Sequence, residues 1–312
     1  MKLSNKRLHL SKRKNCISSI QFYFKNVSES EFLPKLSRII NKYLYYFGLG
    51  SSLNRYDNSL TLYSAREDKY LYSEFNKNDK FINFGSGAFY HKRWKNYDYP
   101  GQTKYYKSLQ GINGKDFFGI DLCNLNLSVP EDDNSVSLIY CAHTLEHLDI
   151  NSSIRFLKEC YRILKKDGIL RVAMPNVKND FYLFQLLDKQ ILNNNDIKLN
   201  YFLDAATKTI SDSTILSKDE LKKISQIING NVSNFFDIIK KKYEKFIKFN
   251  EDSPERHINY WDFEKLIDTT SKIGFSTCVP NYQGSSVALP FSNINVFDNT
   301  EPQISFYADI IK

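Results

Sequence analysis

Residues 81–98, Phe-Ile-Asn-Phe-Gly-Ser-Gly-Ala-Phe-Tyr-His-Lys-Arg-Trp-Lys-Asn-Tyr-Asp, constrain the fold more than any other stretch. Phe81, Ile82 and Phe84 form a short apolar run that stops at Gly85-Ser86-Gly87. A buried parallel strand has this form where it enters a turn too tight for side chains. Glycine at 85 and 87 permits positive φ and leaves the main chain bare for a ligand. Eleven residues beyond Gly87, Trp-Lys-Asn-Tyr-Asp98 reads as a second strand ending in a carboxylate. That combination suits a nucleoside. The turn meets the part nearest the backbone, and the carboxylate accepts hydrogen bonds from ribose hydroxyls. A plain strand-to-helix turn would carry the same glycines, and Phe89 stands where a dinucleotide fingerprint has its third glycine.

Downstream, the pattern alternates strand and helix, which predicts an α/β fold with a mostly parallel sheet. Phe117 to Ile120 lead to Asp121-Leu122 as a third strand, and Ser135 to Cys141 form a fourth. Ile154, Leu157, Tyr161 and Leu164 recur at helical spacing up to Gly168, a helix stop. Ile169 to Pro175 is a fifth strand, closed by its proline. A helix over 261–273, Gly274-Phe275, a strand over 275–282 and a last alternating strand over 303–311 complete the sheet.

Two segments stand outside this rhythm. Residues 1–78 form a partly helical N-terminal extension, with a capping box at Ser28-x-x-Glu31, an apolar helical stripe from Phe32 to Leu44, and candidate strands at 17–24 and 60–72. Residues 178–256 are rich in Asn and Lys and carry amphipathic helices, one opening at the capping box Ser217-x-x-Glu220. The expected organisation is therefore an extension over 1–78, a core unit over 79–177 and 257–312, and a helical insertion over 178–256. The extension suits a cap, an acceptor-site lid or a homo-oligomer contact.

Composition narrows the chemistry. The five cysteines (Cys16, Cys123, Cys141, Cys160, Cys278) are scattered and odd in number, with no Cys-x-x-Cys, which argues against a zinc knot or disulfide framework and for a reducing cytoplasm. No apolar run approaches the roughly 20 residues that span a bilayer, and the basic N-terminus lacks the apolar core of a secretory signal. The net charge of +8 favours an anionic partner.

The order of motifs resembles the class I S-adenosylmethionine-dependent methyltransferases. The resemblance is carried by Ile-Asn-Phe-Gly-Ser-Gly (82–87), Trp-Lys-Asn-Tyr-Asp (94–98), Asp-Leu (121–122), Pro-Glu-Asp-Asp-Asn-Ser-Val-Ser-Leu-Ile-Tyr-Cys-Ala-His-Thr-Leu-Glu-His-Leu (130–148) and Glu-Cys-Tyr-Arg-Ile-Leu-Lys-Lys-Asp-Gly-Ile-Leu-Arg-Val-Ala-Met-Pro (159–175). It is strong over 81–176 and looser over 257–312, and it looks closest to bacterial enzymes of surface-polysaccharide or lipid-linked sugar pathways. It implies a Rossmann-like, mostly parallel sheet with an antiparallel last strand, and S-adenosylmethionine as cofactor. Phe84, Gly85, Ser86 and Gly87 would pass beneath the methionine end. The short gap between Asp121 and the fourth strand makes Asp121 the end of the third strand, beside the adenine with Leu122, and leaves the ribose to Asp98. Turn capping is the competing role for Asp121. Cys141, Ala142 and His143 would line the methyl-transfer site, with His143 the first candidate base and His257 a weaker one. Glu146 and His147 read mainly as helix-start and packing residues. Tyr90 and His91 would shape the cofactor entrance. No metal is expected, because the strand-to-helix transition spoils the i, i+4 pairing of His143 with His147.

These implications make the chain a methyltransferase acting on a hydroxyl of a small or glycan-linked acceptor. Three rivals remain: an RNA methyltransferase, a nicotinamide-dependent oxidoreductase on a related fold, and a non-catalytic partner subunit. Nucleic acid is disfavoured, since the basic residues of 239–248 suit the solvated face of an amphipathic helix and no Asn-Pro-Pro-Tyr follows the fourth strand. The missing third glycine weighs against the nicotinamide reading.

Overall fold

A computed structural model of the chain describes residues 21–23, 40, 43, 52–53, 59–61, 69–87, 91, 93–101, 117–176, 219, 257–294, 296–298 and 305–312. The capping boxes at 28–31 and 217–220, Phe89, Tyr90 and, apart from Asp219, the insertion 178–256 lie outside the described residues.

Near the N-terminus, β1 (Gln21–Tyr23), β2 (Ser52–Leu53) and β3 (Ser59–Thr61) make a small antiparallel sheet in the order β1-β3-β2. The candidate strand over 60–72 is thus shorter than its sequence suggests: Lys69, Tyr70 and Leu71 are helical. Leu71 and Tyr72 turn inward instead and pack against the main sheet.

That sheet has seven strands: β4 (Lys80–Phe84), β5 (Trp94–Asp98), β6 (Phe117–Gly119), β7 (Val136–Ala142), β8 (Leu164–Pro175), β9 (Thr277–Asn281) and β10 (Ser305–Ile311). Their order is β6-β5-β4-β7-β8-β10-β9. β4 to β8 pair in parallel, whereas β10 runs antiparallel to both β8 and β9. The expected mostly parallel sheet with an antiparallel last strand is the observed one. Its centre is sealed on both faces, which is why β4 and β7 read as continuous apolar runs rather than alternating ones.

On one face, Ile82, Phe84, Ile139, Cys141, Leu170 and Val172 pack with helices α1 (Ile150–Ile163) and α2 (Phe263–Ile273). Phe156, Leu157, Cys160 and Ile163 form the buried stripe of α1, and Asp149 caps its start by accepting hydrogen bonds from the amides of Asn151 and Ser152. The helix stops at Ile163, five residues before Gly168. Its last carbonyls go to a distant loop: Asn134 N–H donates to Arg162 O (3.0 Å) and Ser135 N–H to Ile163 O (2.8 Å). Leu164 is therefore free to start β8, and Asp167, not Gly168, takes the left-handed φ of 61°. Gly274 does end α2 as expected, with φ 119°.

On the opposite face, Leu71, Tyr72, Phe81, Trp94, Leu138, Tyr140, Phe291 and Phe297 form an aromatic layer. Buried in it is Arg171 of β8, whose guanidinium donates to Asp309 Oδ1 (3.0 Å), Asp298 Oδ2 (2.5 Å) and the carbonyl of Tyr282 (2.9 Å). Burial opposes that charge, and the two carboxylates outweigh it, holding Arg171 protonated. The network ties β8 and β10 to the 282–298 loop. Among the described residues, no helix is long and apolar enough to cross a membrane.

Candidate active site

Chain order reverses between β4 and β7, so the crevice beyond their carboxyl ends is where an open parallel sheet accepts ligands. Two turns meet there. Gly85 leaves β4 with φ 63° and donates its N–H to Tyr97 O (2.9 Å). A Cβ at this position would lie 1.9 Å from Thr144 Oγ1, so the turn after β4 sits directly on the turn after β7. Gly87, with φ 53°, donates its N–H to Asp98 Oδ2 at 2.6 Å, and Tyr99 N–H donates to Asp98 Oδ1 at 2.7 Å. Burial raises the Asp98 carboxyl above the usual carboxylate range despite those two donors. The glycine turn and Asp98 thus form one unit: the carboxylate sets the conformation of the loop. Phe84 and Ser86 are both buried, and Phe84 stacks on Tyr97 with ring centroids 5.3 Å apart.

Asp121 lies two residues past β6 and is exposed. Its Oδ1 accepts from Cys123 N–H (2.8 Å), so it does cap a turn. Leu122 beside it is buried. Cys141 ends the buried part of β7, where burial outweighs the hydrogen bond from Thr144 and pushes its thiol up to about 12. That thiol is neutral at neutral pH and serves as packing. Ala142 is the half-buried last residue of the strand.

His143 turns out of β7 with a left-handed φ of 48°, its amide donating to Ala173 O at 2.8 Å. Its Nε2 lies 3.0 Å from Ser305 Oγ at the start of β10, and its Nδ1 lies 3.2 Å from Glu146 Oε1. Glu146 belongs to a single 3-10 turn, Leu145–His147, and is 1% exposed. Neither of its carboxylate oxygens receives a well-aligned hydrogen bond among the described residues. Burial pushes its carboxyl up, and His143, His147 and His257 outweigh that, taking it down to about 2.

His257 comes to the same place from far along the chain. The carbonyl of Glu146 accepts from both Ile258 N–H (2.9 Å) and Asn259 N–H (3.0 Å). Asn259 Nδ2 donates to Leu148 O (3.1 Å), and Trp261 Nε1 donates to Leu145 O (3.2 Å). The rings of His147 and His257 meet edge to face at 4.8 Å. Of the sequence candidates, the structure therefore groups Gly85, Gly87 and Asp98 in one half, and His143 and His257 around Glu146 in the other. Ser305 and Thr144 were not among those candidates. A lone serine or threonine in an ordinary strand or turn gives no signal in a single sequence. His91 is buried and stacks on Tyr72 at 5.4 Å, as part of the aromatic layer.

Residues 100–172 match the family model described as a methyltransferase domain. The match spans under a quarter of the 312-residue chain and takes in Asp121, Leu122, Cys141 to His143, Glu146 and His147. The glycine turn, His257 and Ser305 lie outside it. Similar solved structures carry methyltransferase descriptions too. A SAM-dependent methyltransferase of Archaeoglobus fulgidus is 13% identical, with 80% of this chain and 92% of that one covered and a TM-score of 0.40. A SAM-dependent methyltransferase of Thermotoga maritima, a possible histamine N-methyltransferase, is 13% identical over 90% and 98% of the two chains, with a TM-score of 0.38. A candidate O-methyltransferase of Nostoc punctiforme is 10% identical with a TM-score of 0.35; 78% of this chain matches about half (55%) of that one. None of the curated proteins matches the chain. Likenesses this loose assign no acceptor.

Proposed function

We propose that the chain is an S-adenosylmethionine-dependent methyltransferase that acts on a hydroxyl of a small or glycan-linked acceptor, in a reducing cytoplasm. The observation that carries this reading is the packing of the glycine turn, fixed by Asp98, directly against the turn that presents His143.

The residues present suit that cofactor. Gly85 takes a left-handed φ that packs its turn against Thr144 with no room for a side chain, and Asp98 is a buried carboxylate at the end of the neighbouring strand. Phe84 to Gly87 would hold the methionine end, Asp98 the ribose, and Asp121 with Leu122 the adenine. When bound, S-adenosylmethionine would supply a sulfonium methyl group activated for displacement by an acceptor oxygen.

The chain's own contribution is alignment and proton removal. Alignment of this kind contributes roughly 7–11 kcal/mol. The Glu146 carboxylate beside Nδ1 of His143 favours the proton on that nitrogen, which leaves Nε2 as the basic atom. Nε2 faces Ser305 Oγ, so an acceptor proton reaches it either directly or through that hydroxyl. Residues 1–78 and 178–256 would build the acceptor pocket, the latter as its cap. A surface-polysaccharide or lipid-linked sugar fits the +8 net charge as an anionic acceptor.

Calorimetric titration with S-adenosylhomocysteine, run beside NAD, tests the reading. Micromolar binding of the former alone is the expected result; silence from both overturns it in favour of a non-catalytic fold.

A further inference from the structure

Beside the proposed base is a cluster of which the methyl-transfer reading uses only Glu146, as the partner of His143 Nδ1. Glu146, His147 and His257 present one carboxylate oxygen and two imidazole nitrogens, all within 4.8 Å of one another. Two imidazoles and a carboxylate are a donor set for borderline first-row metals, and three protein ligands leave positions open for a small molecule.

Three observations separate this cluster from a chance grouping. The first is burial: the Glu146 side chain is 2% exposed, its Oε1 lies beside Nδ1 of His143, and its Oε2 has no hydrogen-bond partner among the described residues. A buried acceptor oxygen left without a donor is costly, and a bound cation would offset that cost. The second is rigidity. His257 is 111 positions from Glu146 (257 minus 146), yet Ile258, Asn259 and Trp261 bind the backbone of 145–148 through four hydrogen bonds of 2.9 to 3.2 Å. The ligand-bearing segments are fixed to each other whether or not the side chains interact. The third is spacing. Ligands about 2.1 Å from a tetrahedral ion sit about 3.4 Å apart. His147 Nε2 is 3.9 Å from Glu146 Oε1, and no pair of the three donor atoms is more than 4.8 Å apart, so modest side-chain rotations bring the set toward that spacing.

We propose that Glu146, His147 and His257 form a binding site for a divalent transition-metal ion of the Mn²⁺ to Zn²⁺ series at the carboxyl end of β7. Its open positions take an oxygen of the acceptor, and this last clause rests on the methyltransferase reading. The ion revises the expectation of no metal. That expectation considered His143 with His147, whereas the second imidazole comes from His257.

The test uses the full chain, freed of metal by chelation, titrated with Co²⁺ and followed by visible absorption, with Zn²⁺ as competitor. We expect one equivalent of Co²⁺ to bind with d–d bands that Zn²⁺ abolishes. His147→Ala and His257→Ala should each weaken uptake about 10-fold or more. X-ray absorption at the zinc edge of the unaltered protein should show two imidazoles and one carboxylate, which covers the case of a variant that does not fold. No uptake at micromolar Co²⁺, equal affinity in both variants, or an all-oxygen shell would each overturn the site. S-Adenosylhomocysteine titrated in parallel separates the two readings. Metal uptake without its binding supports the site and removes the methyltransferase function; binding without metal uptake does the reverse.

Discussion

The two halves of the candidate site are built in opposite ways. The half around Gly85, Gly87 and Asp98 lies within fourteen residues of sequence (85 to 98), and its key hydrogen bond joins Gly87 to Asp98 across two parallel neighbours, β4 and β5. The half around His143 and Glu146 draws on β7, the segment before α2 and the start of β10, with Ser305 lying 162 residues from His143. A half made of one supersecondary unit forms once its two strands pair. A half assembled from three distant segments depends on everything that holds β8, β10 and the 257–262 segment in place. Perturbations should therefore separate cofactor binding from turnover.

The largest effect expected is on turnover alone. His143→Ala removes the proposed base and should lower methyl transfer by about 10²–10⁴-fold, while S-adenosylhomocysteine affinity stays near that of the unaltered protein. Steady-state rates with calorimetry on the same samples check this; equal activity would remove His143 from its role. Next comes the framework of the assembled half. Asp309→Ala takes away a carboxylate that accepts from Arg171, Asn281, Ser286 and the amide of Val287. Breaking a buried ion pair in this way should cost about 3–5 kcal/mol, read from chemical denaturation. Because β10 carries Ser305, turnover should fall with stability, and a variant as stable as its parent would show that the network is not structural.

Changes in the contiguous half are smaller and fall on the cofactor. Gly85→Ala meets both the positive φ, worth about 1–2 kcal/mol, and the contact with Thr144 Oγ1. It should weaken S-adenosylhomocysteine binding and push the 144 turn away. Asp98→Ala should weaken binding about 10-fold or more, about 1.4 kcal/mol, because it removes the ribose acceptor and releases the Gly87 amide together. Asp98→Asn, which keeps an acceptor but not the charge, separates these roles. Unchanged affinity in both would move the ribose to Asp121.

The same contrast explains what could be read from the residues. The strand Trp94–Asp98 matches its sequence boundaries because a glycine turn and a carboxylate bracket it. The final strand follows from alternation of Ile304, Phe306, Ala308 and Ile310, whereas its antiparallel direction follows only from the family resemblance. The helical spacing runs on to Gly168, but α1 ends at Ile163, because the carbonyls that stop it accept from Asn134 and Ser135, 28 positions before Arg162 and Ile163 (162 minus 134, 163 minus 135), and no local signal marks that. Glu146 read as packing for a sound reason: its backbone does pack, holding Ile258 and Asn259. Its side chain faces imidazoles that only the folded chain assembles. Arg171 sits within the apolar run of β8, and the two carboxylates that neutralise it lie more than 120 positions later, where no local pattern in the sequence pairs them with it.

The smallest effect expected concerns the opposite end of the contiguous half. Glu131 is buried between β4 and β5, where it accepts from Lys80 (2.8 Å), Lys95 (2.6 Å) and the hydroxyl of Tyr97 (3.0 Å). Burial pushes its carboxyl up, but those three donors outweigh it and leave it below the usual carboxylate range of 4.5. The sign follows directly. A carboxylate depressed in the folded state adds stability that is complete above its unfolded value and is lost as pH falls through the folded one. Asp79, held down against burial by Lys165 and Ser137, adds in the same direction. Chemical denaturation should thus show stability falling as pH drops below about 4.5, and Glu131→Gln should flatten that fall at the cost of lower stability near neutrality. Lys80 and Lys95 are each about a third or more exposed, so solvent screening keeps the contribution small. An identical pH profile in Glu131→Gln would mean that β4 and β5 are held by their apolar faces alone. The contiguous half would then owe its independence to packing rather than to charge.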